Sequence, residues 1–432
     1  MNIVMIIPGS GGGFYCENCL RDTGVINVLR QRGHQATVVP LYLPMFTDDP
    51  DVAGESPVFF GGVRLYLQQK IEWLRHMPRW MARGLDSPWM LNMAAKQAGN
   101  TRASGLGKTT LSMIRGQDGG QAEELERLIQ WLQRDEKPDV IQLSSILLIG
   151  LAAQLKARLN VRITCVMQDE DTWLDALDAP YNQSCWDAIR ERCPAVDLFL
   201  PVSHSYADYM RVKLELPADK LRVVYPGIAT EEYRNAPSQT DPPSIGYLSK
   251  MTRSLGLETL VDAFVQLKQT RFPTLTLRAM GGQTGDDARF LATLRRKVDA
   301  LGFSGDVKFL PGLDRASRIE FMSGLSVLSV PMPEGEAFGL FIVEALAAGV
   351  PVVQPDRGGF PELIRATGGG LLYDPTQPGA LTQALETLLS DRATAAEMGR
   401  HGQTVVREKF TLNRMADDLL GIYTRLLGSQ GR

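Results

Sequence analysis

The sequence predicts an α/β protein of two domains, each a parallel sheet covered by helices. Three observations carry that expectation. From Asn2 onward, short apolar runs alternate with stretches of helical spacing, and such alternation implies parallel strands joined by helical crossovers. The alternation lapses at residues 235–243 (NAPSQTDPP), a polar, proline-rich linker, and restarts at Ser244. The chain's 432 residues also exceed what one ordinary core holds. Two halves joined by one linker make two Rossmann-like domains facing across a cleft. Residues 1–234 form the first, residues 244–410 the second, and 411–432 a terminal helix.

In the first half, Asn2–Ile7 is an apolar strand that runs into a glycine loop ending at Gly13, after which Leu20–Arg32 has helical spacing. Gly12 and Gly13 let backbone approach a ligand at the helix start, where sheets of this kind seat ligands. No Gly-x-Gly-x-x-Gly with a following acidic residue appears, so a dinucleotide fingerprint is not supported. Cys16 and Cys19 follow the loop without a second Cys/His pair for zinc. They read as thiols packed at the helix start, with a part in shaping the cleft left open. His34 is a turn residue before a second strand, Ala36–Val39.

Residues 44–130 depart from the α/β repeat and read as an insert. Three tryptophans, Trp73, Trp80 and Trp89, lie among arginines there. They suit a platform for sugar rings, a basic face resting on a membrane surface, or the core of an inserted helical pair. Gly105–Thr109 (GLGKT) lacks the first glycine of a P-loop, since Arg102 stands in its place.

Glu123–Arg134 reads as a helix, Pro138–Leu143 as a strand, Leu147–Leu159 as a helix and Val161–Met167 as a strand. That strand ends in Gln168, Asp169, Glu170 and Asp171, at the carboxyl edge where α/β sheets keep their sites. The three carboxylates suit orienting a hydroxyl, holding a cation, or a solvated loop. Val196–Val202 and Leu221–Tyr225 are further strands. The second half runs strand Ser244–Leu248, helix Leu257–Lys268, strand Thr274–Met280, helix Asp287–Ala300, strand Val307–Leu310, helix Arg315–Ser323 and strand Leu325–Val330. Leu412–Leu427 is an amphipathic helix with Met415, Leu419, Ile422 and Leu426 on one face.

The functional signal is densest at residues 331–353. From Ala337 to Val353 every position is apolar, Gly or Pro except Glu344. A carboxylate in such surroundings is costly to bury alone, so a polar partner is expected, with a ligand a good candidate. Gly339 precedes a helical run from Leu340, and a helix start is a natural seat for phosphate. Glu336 lies eight residues before Glu344 on the preceding loop. Two carboxylates flanking an anion seat make sense if each accepts hydroxyl hydrogen bonds at opposite ends of a ligand. A nucleotide sugar has that layout.

These residues carry a resemblance. Glu336-Ala-Phe-Gly-Leu through Glu344, then ALAAGVPV and Gly358-Gly359-x-x-Glu362, resemble the donor-site signature of the family 4 retaining glycosyltransferases. The resemblance implies the GT-B fold, with the C-terminal helix crossing back to the N-terminal domain. It implies transfer of a hexosyl group from a nucleoside diphosphate sugar, a UDP-sugar foremost, to an acceptor hydroxyl with retention of configuration. Glu344 would hold the ribose and Glu336 would orient the sugar. Phe338, Gly339 and Leu340 would meet the diphosphate, with Lys250 and Arg253 neutralising it. Gly12 and Gly13 would border the cleft, and Asp169 would orient the acceptor hydroxyl. The family's lysine before a glycine is Leu255 here, with Arg253 as the substitute, and Gln168 stands where the family often has histidine. No cofactor or metal is implied, and the leaving phosphate itself takes the acceptor's proton. The acceptor would be a glycan, a lipid-linked or a small molecule, and the Trp-rich insert is the candidate for its selection, since inserts on a fixed scaffold usually carry specificity.

Bulk properties set bounds. A net charge of -3 argues against nucleic acid as the main partner. No run of eighteen apolar residues occurs, and MNIVMIIPGS reads as a first strand rather than a signal peptide. Five cysteines, an odd number, fit a reducing compartment, and the expected location is the cytoplasm. An epimerase or hydrolase on the same scaffold, or a binder without catalysis, are the competing readings.

Overall fold

The computed structural model describes residues 1–9, 17–42, 105–233, 241–283, 287–310 and 314–428. Gly12, Gly13, Cys16 and the Trp-rich stretch of the insert lie outside the described residues.

Packing divides the chain into two compact units. The first contains β1 (Asn2–Ile7), α1 (Glu17–Gln31), β2 (Gln35–Pro40), α2 (Gly107–Arg115) and α3 (Ala122–Trp131). It continues with β3 (Val140–Leu143), α4 (Ala152–Leu159), β4 (Arg162–Met167), α5 (Glu170–Asp175), α6 (Tyr181–Arg192), β5 (Leu198–Pro201) and α7 (His204–Lys213). The strand order is β2-β1-β3-β4-β5, all parallel, with Ile3 level with Ala36 on one side and Val140 on the other. Ile3 to Ile6 are fully buried, as expected of a parallel strand covered on both faces. The rejected P-loop stretch opens α2, and Gly107 packs so tightly on the Tyr181 ring that a Cβ would sit 2.5 Å from it.

Three expected elements of the first unit differ in kind. The helix over Leu147–Leu159 is a 3-10 turn, Ile146–Leu151, followed by α4. The helix expected to Arg134 is α3, closed by a π turn at Leu132–Glu136 that ends on left-handed Lys137. Leu221–Tyr225 is no full strand: Leu221 alone bridges Phe199, although the N–H groups of Arg222 and Val224 donate to the carbonyls of Phe199 and Pro201.

The second unit includes all of Pro226–Arg414. It contains β6 (Ser244–Leu248), α8 (Leu257–Thr270), β7 (Thr276–Met280), α9 (Asp287–Ala300), β8 (Val307–Leu310), α10 (Arg315–Ser323) and β9 (Val327–Leu328). It ends with α11 (Leu340–Ala347), β10 (Val352–Pro355), α12 (Phe360–Thr367), β11 (Gly370–Tyr373), α13 (Ala380–Ser390) and α14 (Arg392–Lys409). The order is β11-β10-β9-β6-β7-β8, again parallel. Residues 226–233, expected with the first domain, pack on this unit instead. Ile228 pairs with Thr411, and Tyr233 reaches Glu344. The last helix, α15 (Leu412–Gly428), belongs to the first unit from Met415 on. Its face of Met415, Ala416, Leu419, Ile422 and Tyr423 is buried, and Tyr423 Oη donates to Gln142 Oε1 at 2.6 Å.

Each sheet has one point where strand order reverses. In the first it lies between β1 and β3, in the second between β6 and β9. Beyond the carboxyl ends of such strands lies the crevice that open α/β sheets use for ligands.

Candidate functional site

In the second unit, the loops after β6 and β9 meet at the reversal. Tyr247 on β6 is buried, and its hydroxyl lies 2.8 Å from the Lys250 carbonyl and 3.3 Å from that of Leu255, tying down both ends of the 249–256 loop. Burial, with the nearby Glu336 charge as the next cause, pushes this phenol well above its ordinary pKa, so it remains a donor. Gly256 has φ +79, and a Cβ there would sit 2.1 Å from the Pro331 carbonyl. Only glycine lets the two loops touch. The Glu336 carbonyl accepts from Gly359 N–H at 2.7 Å, which fixes the backbone carrying Glu336 against the loop after β10.

Gly339, at φ +94, turns the chain into α11, all eight of whose residues are buried. Leu340 and Phe341 head this helix, at the positive end of its dipole. Glu344 lies one turn in. Its Oε1 accepts from Tyr233 Oη at 2.5 Å and from Arg318 Nε at 3.1 Å, so protein groups supply the polar partners that its burial demands. Burial alone therefore does not argue for a ligand at Glu344. Lys250 is half-buried and makes no ion pair with a described residue. Arg253 differs from expectation: it pairs with Glu258 at 2.5 Å, lies 5.2 Å over the Phe290 ring and is 67% exposed. An exposed pair of this kind is weak, so it neither assigns Arg253 to a ligand nor removes it from one.

The carboxyl ends of β3 and β4 in the first unit converge on a residue that the sequence did not single out. Arg21 of α1 is buried, and all five of its N–H donors are used. Nε and Nη2 grip both oxygens of Asp22 at 2.8 and 3.0 Å, Nη1 reaches Gln168 Oε1 at 2.6 Å and Asn18 Oδ1 at 3.3 Å, and Nη2 reaches the Ser144 carbonyl at 3.1 Å. The one available signal was an Arg-Asp pair in the helix directly after the glycine loop. The three carboxylates after Gln168 separate. Glu170 is buried and accepts from the N–H groups of Ile146 at 3.1 Å and Gln168 at 2.6 Å. Asp171 accepts from Tyr206 Oη at 2.7 Å. Asp169 is half-buried with φ +60, a left-handed conformation uncommon outside glycine. Two of the three carboxylates thus serve different protein donors. Among the described residues no cluster of His, Cys, Asp and Glu is placed to hold a metal, and no helix is long and apolar enough to cross a membrane.

The family described as Glycosyl transferases group 1 matches residues 229–405, and Glycosyltransferase Family 4 matches residues 115–232. The chain belongs to the family 4 glycosyltransferases. Among relatives, a D-inositol 3-phosphate glycosyltransferase of Jonesia denitrificans is 32% identical over 172 residues, 39% of this chain and 40% of that protein. A GDP-mannose-dependent alpha-(1-6)-phosphatidylinositol monomannoside mannosyltransferase of Mycobacterium tuberculosis is 27% identical over 219 residues, 47% of this chain and 55% of that protein. The chain spans about half the length of the curated relatives it matches. In fold it is similar to sucrose-phosphate synthase from Thermosynechococcus elongatus (TM-score 0.73, 18% identity, 99% of this chain and 100% of that one). It is similar also to Anabaena Alr3699/HepE in complex with UDP (TM-score 0.66, 17% identity, 98% and 100%). The two-domain GT-B architecture of this family is thus the architecture of this chain.

Proposed function

We propose that this protein transfers a hexosyl group from a nucleoside diphosphate sugar, a UDP-sugar foremost, to an acceptor hydroxyl with retention of configuration. The observation that carries the reading is the β6/β9 crevice, where Tyr247 ties down the 249–256 loop, Gly256 brings that loop against Pro331, and Gly339 turns the same segment into α11. The family membership supports it, as do a relative named for GDP-mannose and a structural neighbour holding UDP.

In this reading Glu344 accepts from the ribose and Glu336 orients the sugar. The N–H groups at Gly339 and Leu340, with Lys250, meet the diphosphate as negative charge grows on it. Fixed donors aimed at developing charge are usually the largest catalytic contribution. The departing phosphate oxygen takes the acceptor's proton. Leu255, in place of the family's lysine, favours as a second reading a nucleotide-sugar binder that does not turn over.

The test is a thermal-shift screen with UDP, GDP, ADP and CMP and their sugars, on the parent and on Glu344→Gln. A ligand that binds only the folded state raises the melting point according to RT ln(1 + [L]/Kd). A shift with one base, diminished in the variant, is expected. No shift with any base would sink the proposal, and a shift without turnover of the sugar would favour the second reading.

A further inference from the structure

Glu344, Arg318 and Tyr233 form a buried polar cluster inside the second unit. All three side chains are more than nine-tenths buried. Two donors meet on Glu344 Oε1, Tyr233 Oη at 2.5 Å and Arg318 Nε at 3.1 Å. The shorter distance is within the range of a hydroxyl donating to a carboxyl oxygen. Tyr233 keeps its proton for this bond, because burial and the adjacent Glu344 charge push its pKa well up.

Neither partner is loosely held. The Tyr233 carbonyl accepts from Arg407 Nη2 of α14 at 3.2 Å, and the preceding Glu232 pairs with Arg315 of α10 at 2.9 Å. Arg318 sits in the first turn of α10, which Asp314 caps by accepting from Ser317 N–H at 3.0 Å. A carboxylate on α11 would otherwise sample several rotamers. Donors anchored to two other elements restrict it, and a restricted acceptor loses less entropy when a hydroxyl arrives.

We propose that Tyr233 and Arg318 are positioning residues for nucleotide recognition: they hold Glu344 in one rotamer, so that it accepts from the ribose hydroxyls and tells ribose from deoxyribose. The inference rests on the reading of Glu344 as the ribose acceptor. Tyr233 then makes the segment that enters the second unit part of the donor site, although it lies outside the Glu336–Glu344 signature.

The experiment is calorimetric titration of the full chain with UDP, 2′-deoxy-UDP and 3′-deoxy-UDP, or with the matching GDP set if the parent binds GDP more tightly. The proteins are the parent, Glu344→Gln, Tyr233→Phe and Arg318→Lys. A hydrogen bond to a charged group corresponds to about tenfold in affinity, so the parent is expected to prefer the ribonucleotide by about that factor. Tyr233→Phe and Arg318→Lys are expected to lose at least about threefold of this preference while still binding nucleotide. A mere loss of stability would weaken both ligands alike and leave the ratio untouched. If both variants keep the parental ratio while Glu344→Gln loses it, the inference is overturned and the ribose reading stands. If Glu344→Gln keeps the ratio, or the parent binds no nucleotide, that reading falls and the inference with it. Should Arg318→Lys fail to fold, Tyr233→Phe decides the matter, since it deletes a single oxygen.

Discussion

Glu344, 1% exposed, and Arg318, 4% exposed, stand 3.1 Å apart, and each makes the other's burial tolerable. Such pairs are weak evidence for stability as pairs, but removing one member strands the other's charge and typically costs about 3–5 kcal/mol. Glu344→Ala is therefore expected to lower unfolding free energy by about 3–5 kcal/mol in urea titrations. Glu344→Gln, which still offers Arg318 an acceptor, is expected to lose clearly less. Adding Arg318→Met to Glu344→Ala should restore part of the loss, because no stranded cation then remains. If Glu344→Ala is as stable as the parent, Arg318 is not confined as described. The same arithmetic explains why alanine is a poor probe of ligand binding at this position: it would confound a lost contact with a loosened α10.

At the scale of elements, Glu170 fastens the carboxyl ends of β3 and β4 together through the Ile146 and Gln168 N–H groups. Burial raises its pKa above the ordinary carboxylate value, outweighing those hydrogen bonds. As pH climbs past that ordinary value, the unfolded chain releases the proton first and the folded chain retains it. The folded state then binds more protons, so the contribution of Glu170 to stability falls with rising pH until its own folded pKa is passed. The difference in unfolding free energy between parent and Glu170→Gln is expected to fall across that window and to be flat on either side. A difference that rises between pH 4 and 8 would contradict this. The elements themselves were largely legible: Asp287–Ala300 and Arg315–Ser323 have the bounds that periodicity indicates. The strand expected over Leu325–Val330 shrinks to Val327–Leu328 for reasons no local pattern shows. Leu325 N–H closes a turn on the Met322 carbonyl, and Val330 N–H donates to the Gln354 side chain instead of a neighbouring strand. In the site, a lone carboxylate in an apolar run announced Glu344, but Tyr233 lies 111 residues away and Arg318 lies 26 away on another helix. Partners so distant leave no spacing to read. Arg21 escaped notice because a charged pair in a helix ordinarily marks a solvated face.

On the scale of the whole chain, the first unit draws on stretches far apart in sequence, one ending at Tyr225 and one starting at Met415. The returning stretch is α15. It fills the unit's core with Met415, Leu419, Ile422 and Tyr423, pairs Asp417 with Arg32, and gives Gln142, a buried residue of β3, a hydroxyl donor. Burying a large apolar side chain contributes about 1.5–3 kcal/mol, and a domain's whole stability is about 5–15 kcal/mol. Four such side chains are thus comparable to everything that holds the unit folded. A chain ended at Arg414 is expected to lose amide protection throughout β1 to β5 in hydrogen exchange while β6 to β11 keep theirs, since Pro226–Arg414 retains its own sheet and core. Tyr423→Phe isolates the polar part: it leaves the ring in place and strands Gln142 Oε1, at an expected cost of about 1–3 kcal/mol confined to the first unit. Protection of β1 to β5 that survives the truncation would mean that α15 rests on a unit already complete. Protection lost equally from β6 to β11 would mean that the two units do not unfold separately.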